Sequence, residues 1–145
     1  MSSADSQLSP RLIVETRPAD HIDDLLGYAD PRETLVWLRR GEGFVAVGGF
    51  APVAVIHIPG GESDRAARMA SAWRELSANA AVDDTVQLPG TGLVAFAALA
   101  FDDRSASSSI LFVPSVIVGQ RGGRSWITRI SRAEHELPIV PTKPL

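Results

Sequence analysis

The stretch TLVWLRRGEGFVAVGGFA, residues 34–51, decides the fold of this chain of 145 residues. Residues 35–38 and 44–47 are compact runs of aliphatic, β-branched and aromatic side chains, which favour strands. The short link between them, residues 41–43, contains two glycines, and a short glycine-bearing link between two such runs is typical of a β-hairpin. The stretch therefore predicts consecutive antiparallel strands.

Downstream of this hairpin, Gly48-Gly49 lets the backbone bend before a third strand, residues 53–58. The one strongly helical pattern covers residues 65–79, with Ser63 or Asp64 as the N-cap. Trp73 is the expected anchor on a sheet, and the arginines, Arg65 included, are assigned to the polar face. The apolar face comprises Ala66, Met69, Ala70, Trp73 and Leu76. A weaker helix is expected over residues 21–28.

Further apolar runs predict strands at residues 93–101, 110–113, 116–120 and 125–130, the last two joined by the turn sequence Arg121-Gly122-Gly123-Arg124. About eight short strands, joined mostly by hairpins, indicate an α+β fold with a mostly antiparallel sheet and one main helix packed on it. Residues 1–18 are interpreted as a loose leader that ends in a short extended piece, residues 11–15. Residues 131–145, which carry three prolines, are interpreted as a linker, and residues 19–130 as the folded region.

Composition excludes several classes of protein. The net charge is −3 with a pI of about 5.5, and no basic patch indicates nucleic acid or an anionic membrane as a partner. The longest apolar runs fall short of the ~20 residues of a membrane helix, and no apolar signal core is present. With no cysteine there is no disulfide or zinc–thiolate site. We therefore predict a cytoplasmic protein.

Few residues are candidates for chemistry. Lys143 is the only lysine and lies between prolines, so a buried catalytic lysine is not expected. Two glycine pairs, Gly41-x-Gly43 and Gly90-Thr91-Gly92, precede strands rather than helices, which predicts turns instead of nucleotide-binding loops.

The remaining titratable candidates are histidines and paired acids. The histidines lack metal-ligand spacing, and His57 is predicted to be partly buried and hydrogen-bonded on a strand face shared with Val53 and Val55. The sequence contains three histidines, His21, His57 and His135, and the last of these is expected to be solvated. The pairs Asp83-Asp84 and Asp102-Asp103 are interpreted as solvated loop acids, and Trp37, Trp73 and Trp126 as core residues. We predict no catalytic, cofactor-binding or metal-binding residue in this chain.

Several of these features together resemble the N-terminal part of chorismate-utilising enzymes, over about residues 33–130. Each segment alone is common among unrelated proteins, whereas the set in this order is more specific. The matching segments are residues 37–43, 73–76, 92–102, 112–114 and 126–128. Within that family the pattern is most similar to isochorismate synthases. The leucine-leucine-glutamate-serine element of tryptophan-regulated anthranilate synthases is absent, so no tryptophan regulation is expected.

The resemblance implies that the complete enzyme is an isomerase that converts chorismate to isochorismate with Mg²⁺, for menaquinone or salicylate-siderophore biosynthesis. In the family, a lysine activates the attacking water, a glutamate protonates the leaving hydroxyl, and further glutamates hold the metal. All of these lie downstream of the matched segment, so none is carried over to a residue here.

The same resemblance implies that the chain is the N-terminal half of an α/β sandwich and packs on a missing C-terminal catalytic half. Alone, the chain should be inactive. Its apolar strand faces, and residues 93–101 in particular, should be uncovered, so it should be prone to associate. Two alternatives remain open. One is a stand-alone binding or interaction domain of the same fold. The other is a different chorismate-utilising enzyme, an aminodeoxychorismate or salicylate synthase.

Overall fold

The computed structural model describes residues 11–22, 25–28, 36–39, 42–47, 52–59, 64–98 and 109–139. These residues form nine strands, one α-helix and one 3-10 helix, Leu25–Tyr28. The α-helix, α1, spans Arg65–Asn79. The strands are β1 (Leu12–Ala19), β2 (Val36–Arg39), β3 (Glu42–Ala46), β4 (Ala54–Ile58), β5 (Ala81–Asp84), β6 (Phe96–Ala98), β7 (Ser109–Val113), β8 (Val116–Arg121) and β9 (Arg124–Arg132).

The strands form two sheets. The larger has the order β2-β3-β8-β9-β1-β5, and the smaller has the order β4-β7-β6. The β1–β5 pair is parallel, and the other paired strands are antiparallel. The predicted α+β class, with mostly antiparallel strands and one main helix, is therefore confirmed for the described residues.

The chain passes from the smaller sheet to the larger one between β7 and β8. Pro114 and Ser115 separate β7 from β8, and the backbone N–H of Val53 donates to the Val113 carbonyl at 2.9 Å on one side of this break. On the other side, the N–H of Val47 donates to the Val116 carbonyl, also at 2.9 Å. Because proline has no N–H to contribute to a ladder, it falls where the ladder is interrupted and the strands change sheets.

Both faces of the larger sheet are covered near its centre. One face packs on α1 and the smaller sheet, and the other packs on the 3-10 helix and its flanking residues. The first cluster comprises Leu12, Val14, Ala54, Leu76, Val113, Ile117 and Ile130; the second comprises Ile22, Leu25, Tyr28, Val45, Val47, Val116 and Val118. Strand β8 is buried along residues 116–119 because it lies between these two clusters.

Two hairpins occur where turn chemistry predicts them. In the first, Arg39 pairs with Glu42, so the link is shorter than the predicted residues 41–43. In the second, Gly122 and Gly123 connect β8 to β9 with φ of 59° and 78°. A two-residue turn with positive φ at both positions matches the right-handed twist of the strands, and glycine adopts it without strain.

The predicted helix is confirmed with its bounds, but its faces are partly wrong. Met69 and Leu76 are buried as expected, whereas Ala66 and Ala70 are exposed and Arg65 is buried. No helix in the described ranges, α1 included, has the length and apolar character needed to cross a membrane.

The helix N-terminus also differs from the prediction. Asp64 occupies the N-cap position, but its backbone is left-handed, with φ of 58°, and its side chain makes no capping hydrogen bond. Its carbonyl accepts the N–H of Arg68 at 2.9 Å. Asp64 is therefore the N-cap residue, as one of the two predicted candidates, but it begins the helix through its backbone and not through a side-chain hydrogen bond. The other candidate, Ser63, lies outside the described residues.

The described region reaches further at both ends than the predicted folded region. The extended piece predicted for residues 11–15 is confirmed as part of β1. This strand continues to Ala19 and lies inside the larger sheet between β9 and β5, so the second half of the predicted leader is part of the fold. The linker predicted for residues 131–145 begins within β9, where Ser131 is buried. The N–H of Ala133 donates to the Arg11 carbonyl at 2.9 Å, which ties the two ends together.

Two strand predictions need correction. Ala81–Asp84 forms β5 and pairs with β1, although its two acids were interpreted as part of a loop. In the apolar run of residues 93–101, the described part forms a strand at Phe96–Ala98, while residues 93–95 pack against the cores without strand pairing. The same run is half-buried at residues 93–96 and exposed at Ala97.

Candidate functional site

An aromatic row crosses the larger sheet and continues to the smaller one. Trp126 on β9 is opposite Gly119 on β8, which is opposite Phe44 on β3. A Cβ placed on Gly119 would lie 2.2 Å from Cε2 and 2.3 Å from Cζ2 of Trp126. The indole therefore lies flat on the Gly119 backbone, and glycine is required there because the ring occupies the space of a side chain.

The row continues through two further rings. Phe96 lies edge-on to Phe44, with ring centroids 5.8 Å apart, and is stacked on Phe112 at 6.1 Å. Each such pair contributes about 0.5–1.5 kcal/mol beyond its buried area. The aromatic row, defined as Trp126, Phe44, Phe96 and Phe112, thus joins strands of both sheets into one unit.

Trp126 carries the one unusual polar group in this row. Its side chain is 1% exposed, and its indole Nε1 has no hydrogen-bond partner among the described residues. A buried N–H without an acceptor costs about 1–3 kcal/mol. The packing of the ring on Gly119 must offset this cost.

A second cluster, which we call the hydroxyl junction, consists of Thr16, Thr128, Gly92, Thr91 and Asp84. Thr16 and Thr128 face each other across β1 and β9, with their Oγ1 atoms 2.6 Å apart, and both are fully buried. The N–H of Gly92 donates to Oγ1 of Thr16 at 3.0 Å. This bond fixes the loop of residues 88–92, where Gly92 has φ of 76°, to the centre of the sheet.

Asp84 organises the rest of this loop. Its Oδ1 accepts the backbone N–H groups of Val86 and Gln87, each at 2.9 Å, and its Oδ2 lies 2.6 Å from Oγ1 of Thr91. Burial raises the pKa of the Asp84 carboxyl. The hydrogen bonds from Thr91, Gln87 and Val86 together outweigh burial and hold that pKa below its ordinary value. Asp84 is therefore a structural acceptor, and its predicted role as a solvated loop acid is wrong.

Its neighbour Asp83 belongs to a chain of charges across β9, β1 and β5. Nη2 of Arg17 lies 2.6 Å from Oδ2 of Asp83 and 3.5 Å from Oε2 of Glu15, and Arg129 forms an ion pair with the other oxygen of Glu15. The hydrogen bond to Asp83 raises the pKa of Arg17, despite an opposing desolvation effect. The exposed Arg17–Asp83 pair contributes little to stability. Both acids nevertheless have a cationic neighbour.

The histidines lie apart from both clusters. His57 shares a strand face with Val55, as alternation predicts, but both are exposed, so the prediction of a partly buried His57 is wrong. His135 is exposed, as predicted, and so is His21. Within the described ranges, no group of three or more histidines and carboxylates is close enough together to hold a metal ion.

The other candidates are turn or core residues, or lie outside the described ranges. Gly90-Thr91-Gly92 forms a turn in which the N–H of Thr91 donates to the Leu88 carbonyl at 3.0 Å, as predicted. Trp126 is a core residue, as predicted, and Trp73 is half-buried against the core. The positions that lie outside the described ranges are Gly41, Asp102, Asp103, Lys143 and the side chain of Trp37.

The arrangement has the character of a scaffold. Its buried polar groups hold loop 88–92 on the sheet, and its aromatic rings join the two sheets. Comparisons with known protein families, with curated proteins and with solved structures give no match for this chain.

Proposed function

We propose that this chain is the N-terminal portion of an isochorismate synthase, and that its two sheets belong to the α/β sandwich of chorismate-utilising enzymes. The complete enzyme would isomerise chorismate to isochorismate with Mg²⁺, in menaquinone or salicylate-siderophore biosynthesis. In this proposal the catalytic lysine, the general-acid glutamate and the metal ligands belong to a C-terminal half. No step and no metal contact is assigned to a residue of this chain.

One observation carries the proposal: four of the five segments that share the family pattern are linked to one another, directly or through Thr16. The glycine segment, residues 92–102, begins at Gly92, whose N–H donates to Oγ1 of Thr16. Thr16 is in turn hydrogen-bonded to Thr128, which belongs to the matching segment of residues 126–128. The same glycine segment includes Phe96, which stacks on Phe112 of another matching segment. Residues far apart in sequence therefore form one structural unit, as expected if the pattern marks a common scaffold.

The helix segment of the pattern joins the same unit. Leu76 is part of the core that α1 shares with both sheets, and Trp73 packs against that core. Because the helix interior and the strand motifs meet in one core, the order and spacing of the segments are both constrained by the fold. This favours a shared architecture over separate chance matches.

The first test combines the reading frame with an assay of the complete enzyme. The coding sequence is read past the codon for Leu145, and the full reading frame is purified and incubated with chorismate and Mg²⁺. Isochorismate as the product, separated from chorismate by chromatography, would support the proposal. A stop codon directly after Leu145 would exclude the family mechanism and leave a stand-alone domain. Aminodeoxychorismate or salicylate as the product would reassign the reaction.

A second test asks whether this part of the enzyme acts as a scaffold. Phe96→Ala removes the central ring of the aromatic row, so we expect a lower melting temperature but an unchanged KM for chorismate wherever the enzyme is folded. His57→Gln is the matched control, because His57 is exposed on the same small sheet. A Phe96→Ala enzyme with a normal melting temperature and an altered KM would contradict the scaffold role.

A further inference from the structure

We draw no further inference here: the strongest candidate, the half-exposed apolar face of the three-stranded sheet around Val55, Phe96 and Phe112, carries nothing because no contact within the described ranges shows what covers it.

Discussion

Replacing Gly119 with alanine is expected to destabilise the fold by about 3 kcal/mol, a large effect for one added methyl group. The new Cβ would lie within 2.5 Å of three atoms of the Trp126 ring, at 2.2, 2.3 and 2.5 Å. Contacts this short do not occur, so the ring or the strand must move. The ring is 1% exposed and has no open side towards which it could turn freely.

The magnitude follows from two limiting cases. If the indole stays and the backbone shifts, the cost is that of overpacking a core, about 1–3 kcal/mol. If the indole leaves its position, the cost approaches that of truncating a buried aromatic side chain, about 3–5 kcal/mol. A value near 3 kcal/mol lies where the two ranges meet, and the protein will follow the less costly route.

Urea unfolding followed by far-UV circular dichroism measures this cost without relying on the fluorescence of the perturbed tryptophan. Gly122→Ala is the matched control. A Cβ there meets nothing within 4 Å, and φ is +59°, so it pays only the left-handed backbone cost of about 1–2 kcal/mol. Repeating Gly119→Ala together with Trp126→Leu completes a double-mutant cycle. In that background the ring atoms that the new Cβ would meet are absent, and only the difference in strand propensity between glycine and alanine remains, so the cost should fall below about 1 kcal/mol.

The cycle decides whether the reasoning is correct. An equal cost of Gly119→Ala with and without the tryptophan would refute it, because the ring could not then be the source of the clash. A cost below that of Gly122→Ala would also refute it, since the clash would be smaller than a backbone effect alone.

The hydroxyl junction predicts that Thr16→Val lowers the unfolding free energy by about 1–3 kcal/mol and that Thr128→Val lowers it less. Only Thr16→Val also deprives the N–H of Gly92 of its acceptor. Equal losses in urea unfolding would contradict this. Asp84→Ala should cost about 1–3 kcal/mol, and Asp83→Ala little. Because the folded pKa of Asp84 is lowered, its contribution is complete above about pH 4 and is lost as the pH falls through the folded value. Urea midpoints from pH 5 to 2.5 should therefore fall less for Asp84→Asn than for the parent.

The helix shows what periodicity can and cannot predict. Its bounds, Arg65–Asn79, are those expected from the spacing of Met69, Trp73 and Leu76. The faces were partly wrong because alanine, with one methyl group, indicates little about its side. Arg65 is only 2% exposed, so its guanidinium is buried together with its aliphatic stem, and its charge was a poor guide to its burial.

Alternation in β4 had a similar outcome. It correctly predicts that Val55 and His57 share one face, since successive side chains point to opposite sides. The opposite face, with Ala54 and Ile58, is the more apolar of the two because it carries no histidine, and it is the buried one. The burial of Ala54 and Ile58 comes from their contacts with the helix and the larger sheet, which no local pattern specifies.

Strand β5 was missed because its stability is not local. The sequence Ala-Val-Asp-Asp has weak strand propensity, and its pairing partner β1 lies more than sixty residues earlier in the chain. The hydrogen bonds that Asp84 accepts were equally hard to foresee. In the hydroxyl junction, alternation with Trp126 and Ile130 does indicate that Thr128 is buried, but its contact with Thr16 spans 112 residues.

The residues that connect the family-like segments explain why the fold is easier to infer than the reaction. Gly92 is constrained by its φ of 76° and its bond to Thr16, and Trp126 by the glycine beneath it. Such constraints come from backbone geometry and packing, so they specify how the strands meet and involve no substrate. A pattern carried by these residues predicts an architecture. A reaction can be proposed from that pattern only by similarity to enzymes with the same architecture. The proposed isochorismate synthesis is therefore tested by the product of the full reading frame, whereas substitutions at Gly119, Thr16 and Asp84 test the fold.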